Sequence, residues 1–165
     1  MSDILSVKPL TASAFSPFGD VIATDGHAPI VINQGQSERF DDLANLQLGA
    51  AEGKACLSIF ATKPLVLPLL LHQMECHHLG SQAFIPLSGQ PWLVVVAPKG
   101  KFDRKQVRAF LASGKQGVNF APGTWHHFSL ALEPQSNFLV IDRKSQAIDC
   151  EEVEINPPLC LERLP

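Results

Sequence analysis

The chain lacks any stretch able to cross a bilayer as a helix. Its longest apolar run, Leu65–Leu71, contains Pro68 and falls far short of the roughly 20 residues that a helical span requires. The opening residues, Met-Ser-Asp-Ile-Leu-Ser-Val-Lys, lack the charged-then-apolar pattern of a secretory signal. Cysteines are few: Cys56, Cys76, Cys150 and Cys160 show neither the paired spacing of a metal site nor the density of a disulfide framework. These absences give the expectation of a cytoplasmic protein with reduced thiols and no membrane partner. A basic stripe is missing too. The 13 basic and 16 acidic residues are spread along the chain, for a formal charge of −3, so no nucleic-acid partner is expected. Internal repeats and low-complexity segments are absent. No long amphipathic run suits a βαβ unit, and the 13 prolines oppose a mainly helical chain.

What is present suits one domain spanning residues 1–165. Short apolar or alternating runs recur, each closed by Gly, Pro, Asp or Asn. They are Val21–Thr24, Ile30–Asn33, Cys56–Ala61, Leu65–Glu75, Ala83–Leu87, Pro91–Ala97, Val107–Ala112, Val118–Phe120, His126–Leu132, Phe138–Asp142 and Glu152–Ile155. Close spacing with turn chemistry between runs predicts an all-β fold, a jelly-roll-like sandwich or barrel. Thr11 is positioned to cap one short helix, and Asp41–Leu46 is expected to form another.

Five of the 6 histidines fall in two clusters, one around Glu75, Cys76 and His77 and the other at His126 and His127. Strand alternation puts Gln73, Glu75 and His77 on one face and His72, Met74, Cys76 and His78 on the other. His72 and His78 therefore read as surface or satisfied polar groups. His126 and His127 are neighbours, so only one of them faces a cavity on a strand. Glu75-x-His77 is followed by four residues, Gln82, six residues and Gly89. That spacing resembles the first cupin motif, with Glu75 and Gln82 in place of the usual His and Glu. Gly123-Thr-Trp-His126 resembles the end of the second. A cupin-like β-barrel sets Glu75, His77, Gln82 and His126 around one pocket.

Longer strings resemble one family within that fold. Residues 79–86 (Leu-Gly-Ser-Gln-Ala-Phe-Ile-Pro), Gln116 to Asn119 (Gln-Gly-Val-Asn) and Trp125-His-His127 are similar to the ureidoglycolate lyases. So are Phe18 to Ile22, Ile32-Asn33 with Gly35 and Arg39, Arg108-Ala-Phe, and Phe138 to Arg143. This chain departs from the family at Cys76 and His78, where Arg and Pro are usual, at Gln34 for Asn, at Ala121–Thr124 for a His-containing stretch, and at Phe128 for Pro. The resemblance implies a cupin-like barrel, a homodimer, a divalent metal (nickel in some members), and the release of urea from ureidoglycolate to give glyoxylate in allantoin breakdown.

That elimination needs a base for the carbinol hydroxyl, an acid for the departing urea nitrogen, and a cation for the substrate carboxylate. Imidazole serves as acid or base near neutrality, and a neighbouring carboxylate fixes its tautomer. Glu75, His77 and His126 are the expected catalytic residues. Arg is the natural carboxylate clamp, and Arg39, Arg108 and Arg143 are the candidates, with Arg39 and Arg108 preferred. Asn33 and Gln82 complete the expected substrate contacts. A metal, if used, would be held by His77, His126, Glu75 and Gln82. Two other readings keep the barrel: a non-catalytic cupin binding a small carboxylate, and a different metal-dependent cupin enzyme acting on a small acid.

Overall fold

The computed structural model describes residues 3–132 and 134–165. Its strands are β1 (Asp3–Ile4), β2 (Val7–Pro9), β3 (Gly19–Ile22), β4 (Ile30–Ile32), β5 (Ser37–Arg39), β6 (Lys54–Thr62), β7 (Leu69–Cys76), β8 (Gln82–Pro86), β9 (Trp92–Ala97), β10 (Arg108–Ala112), β11 (Gly117–Phe120), β12 (Trp125–His126), β13 (Leu130–Ala131), β14 (Ser136–Lys144) and β15 (Glu151–Leu161). One sheet runs β1-β15-β7-β12-β9-β10-β2, with β13 also on β9. A second runs β3-β11-β8-β14-β6, and β4 and β5 form a separate hairpin. This mostly-β, curled arrangement is the one expected of a cupin-like fold. No helix among the described residues is long and apolar enough to cross a membrane.

The reason β9 reads as an unbroken apolar run is that every residue of it is buried. Trp92, Val94 and Val96 point into the core between the sheets, with Phe84, Phe120, Phe138 and Val140. Leu93, Val95 and Ala97 join a second core with Leu71, Met74, Trp125 and Ile155 on the opposite face. Aromatic rings dominate the first core: Trp92 and Phe138 lie 4.9 Å apart, and Phe84 and Phe120 5.8 Å. Each such ring, fully buried, contributes on the order of 1.5–3 kcal/mol.

The short helix α1 (Ala12–Phe15) starts where expected, with Thr11 Oγ1 accepting from the Ala14 N–H at 3.2 Å. It drops Phe15 into the first core. Asp41–Leu46 is not helical, contrary to expectation. Asp42 sits at φ +53°, which a right-handed helix does not allow, and the Asn45 N–H is taken instead by Asp20 Oδ2 at 3.0 Å. The expected strand Leu65–Glu75 begins only at Leu69. The expected strand His126–Leu132 is split in two. β15 continues through Pro157 and Pro158 to Leu161, with an irregularity between Glu154 and Leu159. Prolines have no N–H to give a ladder, so a strand passes through them only with such a break.

Candidate active site

Strand β12 pairs antiparallel with β7, setting His126 opposite Glu75 and Trp125 opposite Cys76. Residues directly opposite share a face, so Glu75 and His126 project together. The turn before β12 holds the pair in register. Gly123 adopts φ +87°, a conformation open to glycine at little cost, and its N–H donates to the His77 carbonyl at 2.7 Å. His77, one residue beyond β7, is thereby drawn beside β12. Its ring centroid lies 5.3 Å from that of His126. The ligating atoms of Glu75, His77 and His126 all fall within 4.8 Å of one another.

Hydrogen bonds fix the tautomers of the two rings. His77 Nδ1 lies 3.1 Å from the Asp149 carbonyl oxygen, and His126 Nδ1 lies 3.3 Å from the His127 carbonyl oxygen. A carbonyl only accepts, so in the neutral rings each Nδ1 carries the proton and each Nε2 keeps a lone pair. Both Nε2 atoms are buried and have no partner among the described residues. Gln82 behaves alike: its Nε2 donates to Asp142 Oδ2 at 3.3 Å, leaving a buried Oε1 without a donor. An unmade bond of this kind costs about 1–3 kcal/mol per group.

Burial sets the electrostatics. His126 is 1% exposed, and its pKa is pushed down to about 3, chiefly by burial and secondarily by His77. Phe120 stacks on it with rings 4.4 Å apart and 1° from parallel. Burial raises the pKa of Glu75; His77 opposes the shift and Glu152 adds to it. His126 Nδ1 and Glu75 Oε1 stand 3.6 Å apart, too far for a good hydrogen bond. His127 turns away from the group against Phe128, and burial pushes its pKa down to about 4.

Two imidazole lone pairs and a carboxylate in one group suit a divalent cation. The residues fit a metal. A cavity of about 60 Å³ lies beside them, bounded by His77, Gln82, Asp142, Arg143 and Asp149.

The structure gathers Glu75, His77 and His126, sets Gln82 across a small cavity from His77, and leaves the other expected contacts elsewhere in the same chain. Arg39 lies on the β4–β5 hairpin, where its Nε donates to Asp41 Oδ1 at 2.6 Å. Asn33, at the tip of that hairpin, donates from Nδ2 to Ser37 Oγ at 3.3 Å. Arg108 donates to the Lys105 and Val107 carbonyls and lines a different cavity of about 470 Å³. Arg143 lines the same small cavity as His77 and Gln82; its Nε donates to the Ala50 carbonyl, its Nη2 to Ala51 and Ser145, and its Nη1 stands 3.8 Å from Asp149 Oδ2. Sequence reasoning missed Asp149, whose carbonyl orients His77 from 72 residues away; nothing local could have flagged it. Phe120 was within reach, because alternation along β11 sends Val118 and Phe120 inward together.

Known proteins resemble the chain along nearly its whole length. The family model described as ureidoglycolate lyase matches residues 2–162. A ureidoglycolate lyase of Azotobacter vinelandii is 49% identical over 150 residues, covering 90% of each chain. One from Pseudomonas syringae is 48% identical, covering 90% of this chain and 88% of its own. One from Burkholderia mallei is 45% identical over 157 residues, covering 95% and 92%.

Proposed function

The chain belongs to the ureidoglycolate lyase family, and we propose that it cleaves ureidoglycolate to glyoxylate and urea at the group formed by Glu75, His77 and His126. In this reaction the hydroxyl O–H and the carbon–nitrogen bond break, a carbonyl forms, and the urea nitrogen gains a proton. Glu75 is the proton carrier. Its side chain is 26% exposed, and its raised pKa brings it nearer neutrality, where a base is effective. It takes the hydroxyl proton and returns it to the departing nitrogen.

His126 stays neutral at physiological pH, because its pKa is depressed to about 3. It serves as a lone-pair donor, and His77, oriented by the Asp149 carbonyl, does the same. Gln82 adds its amide oxygen. His77, His126, Glu75 and Gln82 would hold a divalent metal, nickel among those the resemblance suggests. When bound, such an ion polarises substrate oxygens and supplies positive charge. Phe120 covers one face of His126 and excludes water from it.

The observation that carries this reading is the pair of buried, partnerless Nε2 atoms beside a carboxylate of raised pKa. Its test is the release of urea and glyoxylate from each enantiomer of ureidoglycolate, in wild type and in Glu75→Gln. Wild type is expected to release both products in equal amounts from one enantiomer. Equal activity of Glu75→Gln and wild type would remove Glu75 from the chemistry.

A further inference from the structure

The sheet that runs from β1 to β2 closes on itself through the N-terminal segment. β1 pairs parallel with β15, setting Asp3 opposite Leu159, and β2 pairs parallel with β10, setting Lys8 opposite Phe110. β1 and β2 are the two ends of that sheet, yet only Leu5 and Ser6 separate them in the chain. The segment therefore passes from one edge to the other within two residues. At the crossing a cavity of about 470 Å³ opens between it, β10 and Leu159 of β15.

The apolar wall of this cavity includes Val107, Ala109, Phe110 and Leu159, all buried. Its charged side chains are four cations, Lys8, Arg104, Lys105 and Arg108, and one carboxylate, Asp3. The cavity thus carries a net charge of +3 in a chain whose formal charge is −3. Asp3 is already taken, because Arg104 Nη1 donates to its Oδ2 at 2.7 Å. Arg104 gives its remaining bonds to the Pro157 and Pro158 carbonyls. Asp103 lines a separate cavity with Lys101 and Glu154, and it accepts from the Lys105 N–H and the Gln106 amide. Lys8, Lys105 and Arg108 have no carboxylate partner among the described residues.

Arg108 gives this charge a fixed geometry. It is exposed, and a long exposed side chain ordinarily samples many rotamers. Here Nη1 donates to the Lys105 carbonyl at 3.1 Å and to the Val107 carbonyl at 2.9 Å. Those bonds hold the guanidinium at the cavity and leave Nε and Nη2 without a partner among the described residues. Nε and Nη2 form the edge that gives two parallel N–H bonds to one oxyanion. A ligand that meets a side chain already fixed loses less entropy on binding. A cleft lined by one sign of charge over apolar walls also focuses its field and draws counter-ions in.

We propose that this cavity is a second ligand site, separate from the Glu75–His77–His126 group, and that it takes a small polyanion, a phosphate ester or a polycarboxylate. Arg108 grips one anionic end through Nε and Nη2, and Lys8 and Lys105 neutralise the rest as point charges. The ligand touches both β2 and β10, so it ties the N-terminal segment to the edge that the segment closes. It stabilises the folded chain by mass action. The site stands whatever reaction the Glu75 group performs.

The deciding experiment titrates the full chain calorimetrically at low ionic strength, once with pyrophosphate and once with citrate. Wild type is expected to bind one equivalent per chain of at least one of them, more weakly as salt is added, and to melt at a higher temperature in its presence. Binding of pyrophosphate alone identifies a phosphate ligand; binding of citrate alone identifies a polycarboxylate. Arg108→Gln is expected to weaken binding by about tenfold or more, and so is the double variant Lys8→Gln with Lys105→Gln. Lys54→Gln, which alters a different cavity, is expected to bind as wild type does. Circular dichroism checks that each variant is folded, and the lysine pair decides if Arg108→Gln is not. No saturable heat with either anion overturns the site. So does wild-type affinity in the folded variants, or a loss in Lys54→Gln as large as theirs.

Discussion

Two imidazole nitrogens and one amide oxygen, buried without partners, define the site at the scale of single residues. Proteins rarely leave such atoms unmet, so a ligand that meets them is expected to bind. Soaking the protein with a chelator, dialysing it and assaying before and after is expected to remove a stoichiometric divalent ion and most activity. Full activity in protein shown to be metal-free would dismiss the ion. Glu75→Gln keeps the shape of the side chain but abolishes its basicity. Its kcat is expected to fall by about 10²–10⁴, with KM nearly constant, in an assay of glyoxylate release. Gly80 matters for a steric reason. A Cβ there would lie 2.6 Å from Arg143 Cβ, so Gly80→Ala must displace the side chain that ties strand β14 to residues 50 and 51. The expected loss is about 1–3 kcal/mol in urea unfolding.

At the scale of elements, the β7–β12 pairing does most to build the site, since it converts two distant sequence clusters into one face. It also buries His126 and His127, whose pKa values fall to about 3 and about 4. The sign of the consequence is fixed by linkage. The unfolded chain takes up protons at these residues near pH 6.5 while the folded chain does not. Their contribution is therefore fully present above about pH 6.5 and is lost as pH falls toward 4. Urea midpoints of metal-free protein from pH 7.5 to 4.5 are expected to drop in that window, and His127→Gln to flatten the drop. The core between the sheets is tested by Phe138→Ala. That ring is fully buried and packs against Trp92 and Phe84, so the expected cost is about 3–5 kcal/mol.

For the molecule as a whole, alternating apolar residues closed by turn residues were enough to read an all-β, cupin-like fold, because a sheet with one covered face imposes that period on the chain. The same logic put Glu75 and His77 on one face and set His126 apart from His127. Asp41–Leu46 was misread as a helix because its residues carry no signal of a left-handed Asp42. Arg39, Arg108 and Arg143 each lie within a family-like string, and the sequence reading favours Arg39 and Arg108. Only the fold distinguishes them: Arg143 lines the cavity beside His77, Arg108 lines another cavity, and Arg39 stands on the separate β4–β5 hairpin, bonded to Asp41. The sequence alone determined the fold class and the family and put Glu75 and His77 on one face, since strand period and motif spacing are local properties. Tertiary structure alone decided the tautomers, the depressed imidazoles and the orphaned acceptors, because these depend on Asp149, Phe120 and burial, which meet the site only through long-range pairing.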